Sequence, residues 1–275
     1  MHGMNHCQFI TFTDATAIDA ATLSSIGTFQ APLPYAFDAL EPFISSTLLK
    51  EHFTLYHQPH AAALESPLTP QQSIVECLAT QLNWINRRLL NLRTATQHSG
   101  GARTLAIRLC NIRDLVREHG GGHVNHSQFW KWMTPPASSP GVPVGALASS
   151  IESAFDSFTN FKITFTHAAL SIPADGWAWL IMRADRKLAI TTTQAEDNPL
   201  MRGVVHDDQL GIPVLGIDMA VHAYAGQYQD NREDYIHAWW HVVNWNQVAK
   251  DFDSFADYSN LLATPPHDVL WGSQQ

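Results

Sequence analysis

The stretch Gly216-Ile217-Asp218-Met219-Ala220-Val221-His222 is the most informative part of this chain. It places a carboxylate and an imidazole four residues apart, directly after an apolar run that is typical of a buried β-strand. This layout suits a metal ion held where a strand leaves a hydrophobic core. Two upstream histidines, His52 and His126, complete a set of three imidazoles and one carboxylate, which mid-row divalent or trivalent metal ions accept. The motif therefore predicts a metal site.

Composition narrows the class of protein. A chain of 275 residues with 45% hydrophobic content can bury a core as one large domain or two closely packed ones. The formal charge of −9 argues against a nucleic-acid-coating protein, and no apolar stretch reaches membrane-spanning length. Three widely separated cysteines form no disulfide framework, which predicts a reducing compartment such as the cytoplasm or the mitochondrial matrix. Residues 1–30 carry no secretory signal and are expected to be a poorly ordered extension.

The hydrophobic pattern predicts helices first and strands later. Helices are expected over residues 46–60, 71–92, 104–119, 145–155 and 159–170, strands over 177–182, 188–192 and 214–217, and a tryptophan-rich closing helix over 234–248. The helix over 104–119 is expected to end at Gly120-Gly121-Gly122 as a glycine C-cap. Thr134 to Val144, rich in proline, serine and glycine, is the best candidate linker. The order of elements is typical of an α+β fold.

Five sequence blocks, which follow one another from residue 33 to about residue 252, together match the motifs of a known family. They are LPYAFDALEP (33–42), GGHVNHSQFW (121–130), GWAWL (176–180), PVLGID (213–218), and Asp234-Tyr235 with Val243-Asn244-Trp245. Through them the chain resembles the iron/manganese superoxide dismutase family. The resemblance implies an N-terminal helical hairpin domain over 31–136, with an insertion near 70–105. It also implies a C-terminal domain over 145–252, in which helices pack on a small antiparallel three-stranded sheet, and a tail over 253–275.

The resemblance also implies a ligand set and an activity. The family's four metal ligands fall on His52, His126, Asp218 and His222. The family converts superoxide to dioxygen and hydrogen peroxide by redox cycling of one manganese or iron ion. Gly216 and the run Gly121-Gly122 resemble manganese-type members more than iron-type ones, so manganese is slightly preferred.

The chain departs from the family at the substrate gateway. Family members carry a histidine and then a tyrosine after the first ligand, whereas this chain has Tyr56 and then His60. Both side chains can form hydrogen bonds and relay protons, so a gate of altered form is one interpretation. An exposed His60 would titrate near neutral pH and make that gate pH-dependent. The alternative is that Tyr56 only packs and His60 is a solvated residue at a helix end.

A second departure is Glu196, which aligns with a glutamine that hydrogen-bonds the metal-bound solvent in manganese-type members. An ionised carboxylate about 5 Å from the metal would favour the oxidised ion by about 3 kcal/mol at an effective dielectric of about 20. A shift of that size would impair one half-reaction. A protonated Glu196 would instead donate a hydrogen bond much as glutamine does, and burial favours this form. Both alternatives are open at this stage.

A third departure concerns the dimer contact. Family members have tryptophan, glutamate and tyrosine where this chain has Ala220, Val221 and Ala225. Losing the glutamate and the tyrosine removes the polar bridges of the usual dimer, which suggests a homodimer with an altered, more apolar interface. The competing hypothesis is a non-catalytic subunit of a larger assembly, such as a mitochondrial ribosome-type subunit. The complete ligand set favours the enzyme.

Overall fold

A computed structural model describes residues 32–64, 113–114 and 116–255. The predicted extension over 1–30, the predicted helix over 71–92 and the insertion near 70–105 lie outside the described residues. Most of the predicted tail lies outside them as well.

The N-terminal part is a pair of antiparallel helical arms. The first arm consists of α1 (Ser46–Glu51), a π-helical segment (His52–His57) and α2 (Gln58–Leu64), and the second of a π-helical segment (Val116–Gly120) and α3 (Gly121–Lys131). The Ser45 side chain caps α1 by accepting a hydrogen bond from the backbone N–H of Leu48. Three pairs of histidines join the arms, and their order along one arm is reversed along the other, so the arms are antiparallel. The pairs are His52–His126, His57–His123 and His60–His119.

The glycine run does not end a helix. Gly121 and Gly122 lie inside the second arm, so the C-cap predicted there is wrong. A Cβ added to Gly122 would lie 2.7 Å from ring atoms of His60, and one added to Gly121 would collide with the carbonyl oxygen of Glu196. The glycines therefore serve close approach between segments instead of a left-handed turn.

The C-terminal part confirms the α+β prediction. Its elements are α4 (Gly145–Phe155), α5 (Phe158–Leu170), β1 (Gly176–Met182), β2 (Leu188–Gln194), β3 (Ile212–Asp218), α6 (Val221–Tyr228), α7 (Arg232–Trp240) and α8 (Trp245–Phe255). The three strands form an antiparallel sheet in the order β2-β1-β3. Trp177 of β1 pairs with Asp218 of β3 in this register, so the acidic candidate ligand stands at the edge of a tryptophan-lined core. No described helix has the length and apolar character needed to cross a bilayer.

The closing helix predicted over 234–248 is two helices, α7 and α8, separated by a turn at residues 241–244. The turn is held by the end of the second arm. The Asn244 N–H donates to the Trp132 carbonyl at 2.7 Å, and the Thr134 N–H donates to the Val242 carbonyl at 2.8 Å. The Asn244 side chain then accepts from the Gln247 N–H at the start of α8. These contacts interrupt the helix and also join the helical arms to the C-terminal part.

The core beside β3 explains a glycine within a strand. Trp177 and Trp179 stack with ring centroids 5.2 Å apart. A Cβ at Gly216 would lie 2.5 Å from the Trp179 ring, so only glycine lets the strand pass this close to the indole. The same packing places the end of β3, and Asp218 with it, against the two arms.

Candidate metal centre

Four side chains from four separate elements converge at one point. They are His52 at the start of the first π-helical segment, His126 on α3, Asp218 at the end of β3, and His222 on the first turn of α6. Each offers one ligand atom, and these atoms all lie within 4.8 Å of one another. The structure thus brings together all four ligands predicted from the sequence.

Asp218 is the centre of this cluster. Its Oδ2 lies 3.1 Å from Nε2 of His52, 3.1 Å from Nε2 of His222 and 3.5 Å from Nε2 of His126. Its Oδ1 accepts a hydrogen bond from the Ala220 N–H at 2.8 Å. Burial alone would raise the pKa of Asp218. The charge of His222 and the closely placed nitrogens of the three imidazoles outweigh burial and hold that pKa well below its usual range. The carboxylate is therefore a charged ligand.

The imidazoles are oriented to coordinate a cation. His126 Nδ1–H donates to the Gly122 carbonyl at 2.7 Å, which leaves the lone pair of Nε2 for a metal. Nε2 of His52 and Nε2 of His126 are buried and make no hydrogen bond within the described part of the chain. Burial lowers the pKa of His52 to about 3, although Asp218 opposes this shift, so His52 is neutral. Two unsatisfied buried nitrogens beside a charged carboxylate fit a bound metal ion.

The side of the cluster that faces the core carries a histidine that sequence reasoning missed. His57 is 1% exposed, and its Nδ1 accepts from the Trp130 indole N–H at 3.0 Å. Its own proton is therefore on Nε2, which lies 3.0 Å from Nδ1 of His123. The His57 ring stacks on His126 with centroids 5.5 Å apart. We name His57, His123 and Trp130 the inner wall.

The inner wall depends on π-helical winding. His57 follows His52 by five residues, and a π-helix, with its i→i+5 hydrogen bonds, brings these two positions closer to one face than an α-helix does. A regular α-helix would turn position i+5 away from position i. The pattern of apolar residues could not reveal this local change of winding. The only signal in the sequence was the density of histidines at 52, 57 and 60.

Tyr56 lies on the opposite, solvent-facing side. Its ring stacks on that of His222, with centroids 3.9 Å apart and an interplanar angle of 10°, and the residue is 41% exposed. Tyr56 therefore covers one ligand ring while its own outer face meets solvent.

His60 lies between the cluster and the surface. Its ring packs on Gly122 and stacks with His126 at 5.9 Å between centroids, and its Nε2 lies 3.8 Å from Oε1 of Glu196. Burial, together with the charges of His126 and His119, lowers the pKa of His60 to about 4. The near-neutral titration expected for an exposed His60 does not apply, because 17% of this side chain is exposed.

Glu196 reaches the same place from the loop after β2. Its Oε2 accepts from the Asn125 amide at 3.3 Å, and its backbone carbonyl accepts from the same amide at 3.1 Å. Burial raises the pKa of Glu196, and the nearby His126 charge partly opposes the shift. The next residue, Asp197, binds the Arg117 guanidinium with Oδ2 2.6 Å from Nη2, so this loop is held firmly. We name Tyr56, His60 and Glu196 the outer wall.

Comparisons with known proteins agree with this geometry. The profile described as "Iron/manganese superoxide dismutases, alpha-hairpin domain" matches residues 29–134, and the one described as "Iron/manganese superoxide dismutases, C-terminal domain" matches residues 143–251. Superoxide dismutase (Mn) 1 of Leptolyngbya boryana is 35% identical over 246 residues, which is 88% of this chain and 87% of the relative. Superoxide dismutase (Mn) of Listeria monocytogenes is 35% identical over 228 residues, which is 82% of this chain and 98% of the relative. Superoxide dismutase (Mn/Fe) of Methylomonas sp. strain J is 36% identical over 225 residues, which is 80% of this chain and 95% of the relative.

Proposed function

Since this chain belongs to the iron/manganese superoxide dismutase family, we propose that it converts superoxide to dioxygen and hydrogen peroxide at one manganese or iron ion. The ligands are His52, His126, Asp218 and His222. The observation that carries the proposal is the convergence of these ligand atoms, two of them buried nitrogens without hydrogen bonds. The relatives above are named for manganese or for both metals, which supports the slight preference for manganese.

The metal, when bound, supplies one-electron redox chemistry, and the chain supplies orientation and protons. The Gly122 carbonyl fixes the His126 ring so that Nε2 faces the cluster. His60 and Glu196 face each other beside His126 at 3.8 Å, and both can hold the protons that leave with hydrogen peroxide. The raised pKa of Glu196 favours its protonated alternative, in which it donates a hydrogen bond much as the family's glutamine does.

The non-catalytic alternative is not favoured. A protein that uses this fold only as an assembly subunit has no need to keep three imidazoles and a carboxylate converging on one buried point. The cost of burying such groups is offset by a bound ion. The three relatives, which this chain matches over most of their length, are also named as enzymes.

A joint measurement of metal and activity tests the proposal. Purified chain should contain close to one manganese or iron ion per chain by elemental analysis, and the same sample should remove superoxide. Metal without superoxide removal would contradict the activity, and absence of metal would contradict the site.

The role of Glu196 is tested by Glu196→Gln, with Glu118→Gln at an exposed position as the matched control. If Glu196 acts as a protonated donor, glutamine preserves the hydrogen bond, and turnover should stay within about threefold because the outer contacts are retained. A gain in turnover of tenfold or more would show instead that an ionised carboxylate was unbalancing the metal potential.

We further propose a homodimer joined through an apolar patch beside the metal centre. Leu55 is 62% exposed and Val221 is 58% exposed, and they flank the stacked pair Tyr56 and His222. Exposed apolar side chains grouped in this way are typical of an interface. Val221→Lys should shift sedimentation toward the monomer, whereas Val142→Lys, at a 50%-exposed valine elsewhere, should not. Equal sedimentation of both variants and the unaltered chain as dimers would place the interface elsewhere.

A further inference from the structure

A second histidine stands behind His60, on the side away from the metal ligands. His119 belongs to the π-helical segment of the second arm, and its Nδ1 lies 3.2 Å from Nδ1 of His60. The two rings are tilted by 53° with centroids 5.4 Å apart, so the contact is made by the nitrogens and not by the ring faces. His119 is half-buried and lies outside the four-ligand cluster.

The hydrogen bond between two Nδ1 atoms has a chemical consequence. One of the two nitrogens must carry a proton and the other must not, because two lone pairs or two N–H groups facing each other repel. The choice is linked to the far side of the His60 ring, where Nε2 faces Oε1 of Glu196. An N–H at Nε2 is favoured wherever Oε1 is an accepting oxygen, which holds for the carboxylate and for the protonated acid with its proton on Oε2. With the proton on Nε2, Nδ1 of His60 accepts, and Nδ1–H of His119 donates.

We propose that His119 is a positioning residue for His60: it holds the imidazole against Gly122 and selects the tautomer that directs Nε2–H toward Glu196. This inference rests on the proposed function of the outer wall. His119 acts only through His60.

The surrounding contacts separate this role from general support of the fold. The same π-helical segment carries Arg117, which binds Asp197 and so holds the Glu196 loop independently of His119. Removing the His119 ring therefore leaves Glu196 anchored while His60 loses its partner. A variant without the His119 ring should therefore show altered orientation and tautomer at His60 and no change at Glu196.

The test compares His119→Leu with His119→Asn. Leucine fills similar space without a donor, whereas the asparagine amide can present an N–H close to the position of Nδ1. The tautomer of His60 is read from two-bond ¹H–¹⁵N correlations on the full chain filled with zinc, a diamagnetic probe of the site, and its signals are identified by their loss in His60→Gln. We expect Nε2–H for the unaltered chain and for His119→Asn, and a mixture or the Nδ1–H form for His119→Leu.

Manganese content and superoxide removal are measured on the manganese-loaded variants. Metal per chain should be unchanged in both, and turnover should fall about tenfold in His119→Leu and recover in His119→Asn, in line with other contacts that orient residues around metal sites. The inference is overturned if His119→Leu keeps a pure Nε2–H form, or if leucine and asparagine affect turnover equally. If the unaltered chain removes no superoxide, the proposed function fails, and the tautomer measurement still decides the role of His119.

Discussion

The inner and outer walls of the metal cluster differ in how their side chains are held. The inner wall is closed: His57, His123 and Trp130 are all buried, and a chain of hydrogen bonds with defined donors joins them. The outer wall is open and adjustable, since Tyr56 is largely exposed and His60 meets Glu196 at 3.8 Å, beyond hydrogen-bond distance. In the proposed function, the core side holds the ligands in place, and the solvent side controls access and proton supply.

The contrast begins within two consecutive residues. Tyr56 stacks on His222 at the surface, and His57 is buried against His126. One π-helical segment thus supplies a residue to each wall. A change in the inner wall should therefore alter metal retention and stability together, whereas a change in the outer wall should alter turnover first.

The largest effect is expected from Asp218→Ala, which removes the carboxylate at the centre of the candidate ligand cluster. Three imidazoles without the carboxylate should hold less than about a tenth of the wild-type metal after dialysis, because the site loses its negative charge. Elemental analysis measures this loss. Asp208→Ala, at an exposed carboxylate near β3, is the matched control and should keep its metal. Full occupancy of Asp218→Ala would refute the ligand assignment.

A smaller effect is expected from Gly122→Ala, which adds a methyl group against His60 of the outer wall. The new Cβ would lie 2.7 Å from the His60 ring, so the His60 ring must shift from its present position beside His126 and Glu196. We expect a loss of about 1–3 kcal/mol in the free energy of unfolding from overpacking, measured by chemical denaturation, and a fall in turnover larger than the fall in metal content.

Gly226→Ala provides the control, because its Cβ would meet the flexible ends of Leu48, at 3.3 Å, and of Glu51, at 3.9 Å. That variant should unfold at the same or slightly higher denaturant concentration, since alanine favours a helix. Equal tolerance of both alanines would mean that His60 is not held against Gly122.

The smallest effect is expected from Trp130→Phe, which removes one hydrogen bond of the inner wall. His57 Nδ1 would lose its donor, at a cost of about 1–2 kcal/mol in the free energy of unfolding. Trp179→Phe removes a comparable buried bond, from the indole to Thr193 Oγ1 at 2.8 Å, at a distance from the ligands. Both should unfold at lower denaturant concentration, and only Trp130→Phe should also weaken metal binding in a competition titration. If the two variants bind metal equally well, the inner wall does not position the ligands.

Several elements could be predicted because their signals are local. The three strands are apolar runs of strand length, and the helices α4 and α5 follow from their spacing of apolar residues. The closing helix could not be predicted as two, because its break at residues 241–244 is made by hydrogen bonds to Trp132 and Thr134, more than a hundred residues away. The helix C-cap predicted at Gly120-Gly121-Gly122 is wrong for a related reason. A helix end and a close helix contact use the same residue, and only the neighbours His60 and Glu196 distinguish them.

The candidate site also combines features that the local sequence predicts with features that only distant contacts create. The residue types alone determine a nitrogen- and oxygen-rich set suited to a mid-row metal ion, because ligand chemistry is a property of each side chain. This set consists of His52, His126, Asp218 and His222. The tertiary structure alone decides which histidines support those ligands. His57 and His119 lie in π-helical segments of the two antiparallel arms. There a nitrogen of each comes within 3.2 Å of a nitrogen of its partner, His123 for His57 and His60 for His119. Hydrogen bonds of that length depend on positions in space, and no spacing along the chain specifies them.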